Sequence, residues 1–325
     1  MRAYWLLLSS LALALGNMSD VAAQIYPSSR VTMAVPYAAG GQSDAVARIV
    51  AEHMGTWLGQ PIVVENVSGA GGRIAMERVA RAAPDGYALI LGTQSQFVNS
   101  GAIDTLPYDL VNDFAPIALI ASSPHLVLAK PAVPAKDLAE LIGWIKANQS
   151  RVSQGHVGLG GAPHLCAIEM QNRIGARWTL VPYRGGSLAM QDLVAGRIDL
   201  YCSTPGTALE MVRTGMIKAY AIAGKKRLAA APEIPTAGEA GLPGLDLPTW
   251  HGLWAPKGTP KGIIDKLNAA VRDALAHPAV AARLGEIGID VSAPEQQTPE
   301  ALGAFQRDEI EKWWPIIRAA NIGPN

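Results

Sequence analysis

The chain has 325 residues, with 27 Lys plus Arg against 27 Asp plus Glu, so its formal net charge is zero. That balance excludes a global field drawing it to nucleic acid or an anionic membrane, and three Phe within 6% aromatics leave no base-stacking surface. With 49% hydrophobic and 17% charged residues, against about 25% charged in an average domain, the chain has ample core material for two lobes.

Arg2, the apolar run Leu6–Leu15 and the small residues Val21-Ala22-Ala23 read as a signal peptide over 1–23, cleaved after Ala23. The run falls short of the ~20 apolar residues that span a bilayer. Export places Cys166 and Cys202 in an oxidising compartment, where they form a disulfide or remain two buried thiols. Two cysteines and six histidines without paired spacing make no metal cage, and no cofactor motif is present.

In the mature chain, Val31–Val35 is an apolar run ending at Pro36 and reads as a strand. After Gly40-Gly41, Ser43 or Asp44 caps a helix in which Val46, Ile49, Val50, Met54, Trp57 and Leu58 recur at helical spacing. A strand at Ile62–Glu65, a helix at Ile74–Ala82 and a strand at Tyr87–Leu91 complete a β-α-β-α-β unit, the pattern of a parallel sheet. Pro residues make 107–124 read as a connection. The pattern then restarts, with strands at His125–Ala129, Val152–Val157, Trp178–Pro182, Arg197–Cys202 and Ala219–Ala223. Helices fall at Lys136–Asn148, His164–Ile174, Leu188–Ala195 and Thr207–Thr214. A Pro/Gly-rich return over 224–249 precedes a strand at His251–Ala255 and helices at about 261–276, 278–287 and 299–320. The expected fold is α/β, a mainly parallel sheet in each of two lobes: 24–124 plus 250–325, and 125–249. Trp57, Trp144, Trp313 and Trp314 lie on helical faces and are expected in the core.

Three loops joining a strand to a helix are rich in glycine: 36–44, 66–73 and 158–164. Glycine lets the backbone approach a ligand, and the following helix presents free N–H groups and the positive end of its dipole. Such loops suit a phosphate or carboxylate at the carboxyl ends of the strands. None matches a phosphate-binding or dinucleotide fingerprint. Val35-Pro36-Tyr37 with Gly40, Gly41 and Ser43 also resembles Val181-Pro182-Tyr183 with Gly185, Gly186 and Ser187. Two matching jaws across a cleft are the simplest use of that repeat.

Val-Pro-Tyr-Ala-Ala-Gly-Gly-Gln-Ser-Asp at 35–44, Gln-Pro-Ile-Val-Val-Glu-Asn at 60–66, Gly-Ala-Gly-Gly at 69–72 and Ala-Pro-Asp-Gly-Tyr at 83–87 belong together. With Leu-Pro-Tyr-Asp at 106–109, Val-Pro-Tyr-Arg-Gly-Gly at 181–186 and the motif at 234–244, they resemble the Bug receptors of the tripartite tricarboxylate transporter system, over residues 25–322. The resemblance implies a periplasmic binding protein of the Venus-flytrap kind. It implies a small carboxylate, such as a dicarboxylate or aromatic acid, held by Gly40, Gly41, Ser43, Asp44, Gly71 and Gly72 through backbone amides and water. The second lobe would close through Gly161, His164, Tyr183 and Ser187, with Thr93, Ser203 and Thr204 at strand ends facing the cleft. Ala38-Ala39 stands where Pro is frequent, and Arg73 where Asn is common. Cys166 and Cys202 fall in regions expected to face the ligand.

Arg184 and Arg73 are candidates to grip a second carboxylate, and Tyr37 and Tyr183 to wall the ligand body. Delivery to membrane transporter subunits is the expected role, and sensing through a membrane kinase is the alternative. An exported hydrolase is a third reading, without support from a G-x-S-x-G elbow. Ser43 and Ser187 follow glycine pairs, but no His–acid arrangement is visible near either.

Overall fold

The computed structural model describes residues 26–183 and 185–320. The segment 1–23, read as a signal peptide, and Arg184 lie outside the described residues.

The first lobe opens with β1 (Val31–Val35), α1 (Gln42–Leu58), β2 (Ile62–Asn66), α2 (Arg73–Ala80) and β3 (Ala88–Thr93). β1 pairs in parallel with both β2 and β3. As in other parallel strands covered on both faces, its side chains are nearly all buried. One stripe of α1, from Val46 through Val50 and Met54 to Leu58, covers the sheet, and Gly59 ends the helix at φ 75. Beyond β3 the chain makes a π-helical turn, Ser95–Asn99, then the short α3 (Ser100–Ile103). β4 (Phe114–Ser123) runs to Pro124, and β5 (His125–Ala129) continues into the second lobe.

There follow α4 (Leu138–Asn148), β6 (Ser153–His156), α5 (Ala162–Ile174), β7 (Thr179–Pro182), α6 (Gly186–Val194), β8 (Leu200–Ser203), α7 (Pro205–Arg213) and β9 (Lys218–Ala223). The chain returns through β10 (Thr249–Pro256) to α8 (Lys261–Ala276), α9 (Pro278–Glu286), β11 (Asp290–Val291) and α10 (Pro299–Ala319). One sheet has the order β11-β4-β10-β3-β1-β2, the other β7-β6-β8-β5-β9. The result is an α/β fold of two lobes in which each sheet is mixed around a parallel core, β2-β1-β3 in one and β7-β6-β8 in the other. Among the described residues no helix is long and apolar enough to cross a membrane.

β4 is a full strand where the prolines of 107–124 read as a connection. Pro116 sits opposite Trp254, next to a bulge that leaves Ile117 of β4 unpaired, and a bulge is where a strand tolerates proline. Two crossings join the lobes: Pro124, and the return 224–248. Ser123 Oγ donates to Gly288 O at 2.8 Å, and His125 Nδ1 donates to Leu247 O at 3.0 Å, fastening both crossings at the hinge. Helix α10 packs on the first lobe and serves the π-helical turn, whose carbonyls the turn itself leaves open. Gln306 Nε2 donates to Phe97 O at 3.0 Å and Trp314 Nε1 to Val98 O at 2.9 Å.

Cys166 of α5 and Cys202 of β8 form a disulfide spanning Cα atoms 6.4 Å apart. Both are fully buried in the core beside Met170, so neither faces a ligand as expected above. The reason is helical phase: Cys166 lies on the stripe of Met170 and Ile174, which the sheet covers. Trp313 is core, whereas Trp57 is 43% exposed near the end of α1.

Candidate functional site

The carboxyl ends of the two parallel cores face each other. Asn99 Nδ2, at the end of the π-helical turn after β3, donates to Gly160 O, in the loop after β6, at 2.7 Å. A Cβ on Gly160 would collide with the Ile103 side chain of α3, so that side chain lies directly against the Gly160 backbone.

On the first lobe, one side chain ties three loops. The Tyr37 hydroxyl and Thr93 Oγ1 are 2.9 Å apart, and both lie within reach of Gln96 Oε1, at 3.1 and 3.0 Å. Gln96 Nε2 donates to Gly71 O at 3.0 Å. The loops after β1, β2 and β3 are thereby locked together. A Cβ on Gly72 would lie 2.9 Å from both Gln96 and Pro36, and φ of 66 and 95 at Gly71 and Gly72 also requires glycine. Ala70 holds φ 46 in the same loop, a strained left-handed residue of the kind that clusters at binding sites.

A second set of contacts fixes the first glycine loop. Gly40 N–H donates to Asp44 Oδ2 at 2.9 Å, and Asp44 Oδ1 pairs with the Arg48 guanidinium at 2.9 Å. Arg48 Nη2 donates to Asn66 Oδ1 at 3.0 Å, and Asn66 Nδ2 to Tyr37 O at 3.1 Å. Burial pushes the Asp44 carboxyl up, but the bonds from Arg48 and Gly40 outweigh it and hold the group below its ordinary value. Asp44 is thus a charge already answered, and it shapes the loop.

Gly41, Gly72, Gly161 and Gly185 stand at the N-caps of α1, α2, α5 and α6, and none of these caps receives a side-chain bond. Thr204, at the N-cap of α7, gives none either. Elsewhere, Asp137 caps α4 by accepting from Glu140 N–H, and Thr298 caps α10 by accepting from Ala301 N–H. Since α8 and α9 also start without a side-chain bond, it is the glycines that set the cleft edge apart. Each leaves backbone N–H groups open to a bound anion.

Five buried side-chain atoms among the described residues have no hydrogen-bond partner. Gln42 Nε2, Gln94 Nε2 and Asn99 Oδ1 belong to residues at the carboxyl edge of the first lobe, and His251 Nδ1 lies beside them on β10. Buried polar atoms are nearly always paired, so their concentration here marks a surface shaped for a polar ligand.

The second lobe contributes less. His164 Nδ1 accepts from Gly160 N–H at 3.0 Å, and its ring stacks on His156 at 4.4 Å between centroids. Burial, then the neighbouring His156, push His164 down to about 4. Ser203 Oγ and Thr207 Oγ1 are 2.6 Å apart at the start of α7, next to Thr204. Tyr183 turns its hydroxyl onto Asp192 Oδ2 at 2.7 Å, within its own lobe, while Ser187 and Arg73 are exposed at helix starts.

The repeated Val-Pro-Tyr motif does not mark equivalent jaws. β1 is the middle strand of its parallel core, flanked by β2 and β3, whereas β7 is an edge strand. The topological partner of β1 is β6, so the loop 157–161 answers the loop 36–41. Sequence reading also missed Gln94, Gln96, Asn99 and His251. Their signal is distance in sequence: Ser43 Oγ lies 3.0 Å from His251 Nε2, a contact spanning 208 residues. The imidazole that seemed missing near Ser43 is therefore present. It is wholly buried, however, and its Nδ1 meets no carboxylate that would stabilise an imidazolium.

Two α/β lobes with crossing strands, and a polar rim where the strand ends meet, define a two-lobed solute-binding protein. The family model of the tripartite tricarboxylate transporter family receptor matches residues 46–322, and the chain belongs to that family. It is 33% identical to the protein BugT of Bordetella pertussis, over 93% of each chain. Among solved structures it resembles MatC of Rhodopseudomonas palustris with bound malate, at 40% identity and a TM-score of 0.82, covering 90% of this chain and 100% of that one. A second R. palustris protein, solved with adipate, superposes with a TM-score of 0.85 at 30% identity, covering 92% of this chain and 100% of that one.

Proposed function

We propose that the protein is an exported periplasmic receptor that closes its two lobes on a small carboxylate and delivers it to the membrane subunits of a tripartite tricarboxylate transporter. The observation that carries this reading is the cleft edge: four helices start at glycine without a side-chain cap, the amides of Gln42 and Gln94 are unpartnered donors, and the two rims meet at the Asn99–Gly160 bond. Such an edge supplies donors from backbone and side chain, which suits an anion rich in acceptors. The malate and adipate held by two relatives are both dicarboxylates, so short dicarboxylates are the first candidates.

Binding makes and breaks no bond. The first lobe, locked by Gln96 and by the Asp44–Arg48–Asn66 contacts, receives one carboxylate on the loops 36–41 and 67–72. The second lobe closes over the remainder, and the Asn99–Gly160 bond forms part of the closed state. A ligand drives closure only by its preference for that state.

Thermal unfolding of the chain from residue 24, against a panel of small carboxylates with their neutral amides as controls, tests the reading. A ligand at 100 times its Kd adds about 2.7 kcal/mol, which raises Tm by roughly 4–5 °C in a chain of this size. A rise with one acid, absent with its amide, and with the acid recovered unchanged, is the expected result. Consumption of the acid, or equal rises with acid and amide, overturns it.

A further inference from the structure

His251 is unusual among the buried histidines. It lies on β10 in register with Thr93, wholly buried, with Nε2 at 3.0 Å from Ser43 Oγ and Nδ1 without a partner. The other three each use Nδ1: His125 donates to Leu247 O, His156 donates to Gly158 O and His164 accepts from Gly160 N–H.

Burial pushes His251 down to about 4, so the ring is neutral at neutral pH and has two tautomers to choose from. If the proton sat on Nδ1, Nε2 would accept from Ser43 and a buried N–H would be left with no acceptor. An orphaned buried N–H is rarer than an acceptor with an unused lone pair, and among the described residues the Trp254 indole is the one ring N–H left so. If the proton sits on Nε2, the ring donates to Ser43 Oγ. The hydroxyl hydrogen must then find its acceptor elsewhere, and no other acceptor for it occurs among the described residues. Ser43 retains 8% exposure at the start of α1, beside the loop 36–41 and next to the unpartnered Gln42.

We infer that His251 is a positioning residue: its Nε2–H donates to Ser43 Oγ and so commits the Ser43 hydroxyl to donate into the cleft. Together with the amide donors of Gln42 and Gln94, this gives the first lobe three side-chain donors around the loop 36–41, with Asn99 Oδ1 an unpartnered acceptor on the same edge. The ligand group meeting those donors is an acceptor, a carboxylate or carbonyl oxygen, and an ammonium at that point is rejected. The inference rests on the carboxylate-receptor reading for its use, but not for its geometry.

The test has two arms. Long-range proton–nitrogen spectra of the wild-type protein with 15N-labelled histidine, taken at neutral pH and assigned with His251→Gln, report the tautomer directly. A proton on Nε2 is expected, and a proton on Nδ1 overturns the inference whatever the ligand proves to be. In the second arm, Kd for malate is measured in the wild type, Ser43→Ala, His251→Gln and His251→Met. His251→Gln keeps an amide donor and should stay within about three-fold, whereas His251→Met should weaken binding about ten-fold. In a Ser43→Ala background, His251→Met should add nothing, because its effect passes through Ser43. An equal loss in both backgrounds shows a merely structural role and overturns the inference. If His251→Met does not fold, the tautomer decides. Failure of the wild type to bind malate or any other acid speaks against the receptor reading and leaves the tautomer arm intact.

Discussion

The two lobes share one topology and meet at equivalent strand ends, yet they build those ends differently. On the first lobe Gln96 bonds to the loops after β1, β2 and β3, and Asp44, Arg48 and Asn66 brace the first glycine loop. On the second, contacts are local: His164 to Gly160, Tyr183 to Asp192, Ser203 to Thr207. A rim whose donors are fixed before the ligand arrives spends little on ordering. On the proposed function, this difference would give the carboxylate to the first lobe and adjustment to the rest of the ligand to the second.

Acid should blur the comparison most, because it attacks hinge, clamp and second lobe together. Burial lowers His125, His164 and His251 to about 4, so between their ordinary value of 6.5 and 4 the unfolded chain binds protons that the folded one refuses. Stability is therefore lost as pH falls from about 6.5 towards 4, by up to about 1.4 kcal/mol per pH unit for each of the wholly buried His125 and His251. Thermal melts from pH 7 to pH 4 should show a steady fall in Tm; a flat profile would mean that these rings are hydrated. Reduction comes next. Opening the Cys166–Cys202 bond releases a loop of 36 residues in separation, worth about 4 kcal/mol in the chain-entropy model. Melting with and without reductant under denaturing preincubation should show it as a lower Tm, confined to the second lobe in hydrogen exchange.

Smaller effects separate the lobes more sharply. Gly160→Val places a side chain against Ile103 and should abolish closure, removing about 100-fold or more of ligand affinity, and because φ is 66 there it should also lower the unliganded Tm. Gln96→Leu leaves Tyr37 and Thr93 without their shared acceptor and should weaken binding by about ten-fold. Ser187→Ala, on the exposed start of α6, should change it by less than about three-fold. Titration calorimetry with the acid selected by the panel measures all three, and an equal response at Gln96 and Ser187 would erase the distinction between the lobes. The least effect on binding is expected from Asp137→Ala and Thr298→Ala, which remove true helix caps far from the cleft. Each costs about 1 kcal/mol of stability and leaves Kd unchanged.

Much of the fold was legible because parallel strands and amphipathic helices write their period into the chain. Val31–Val35 and the stripe of α1 needed nothing more. β4 was not legible, because Pro116 is tolerated only beside the bulge that leaves Ile117 unpaired, and a bulge shows itself only in the pairing with β10. The glycine loops announced the tight turns of the cleft edge for the same local reason, that turns and close approaches need glycine. Gln96, Asn99 and His251 announced nothing. A Gln in a π-helical turn and a His in a late strand become site residues only when the fold brings them to Gly71, Gly160 and Ser43. The Val-Pro-Tyr repeat shows the converse, since a shared local turn at Tyr37 and Tyr183 ends strands of different rank in their sheets. Cys166 and Cys202 lie close in sequence to the rim but one helical face away from it.

A crystal structure of the protein with the acid selected by the thermal panel tests the central claim most directly. The account predicts one carboxylate with its oxygens about 2.7–3.1 Å from backbone N–H groups of the loops 36–43 and 70–72, or one water removed from them. The hydroxyl of Ser43 should point into the cleft and the Asn99–Gly160 bond should be intact. A carboxylate held by the second lobe alone, with the two glycine loops of the first lobe facing solvent, would contradict it.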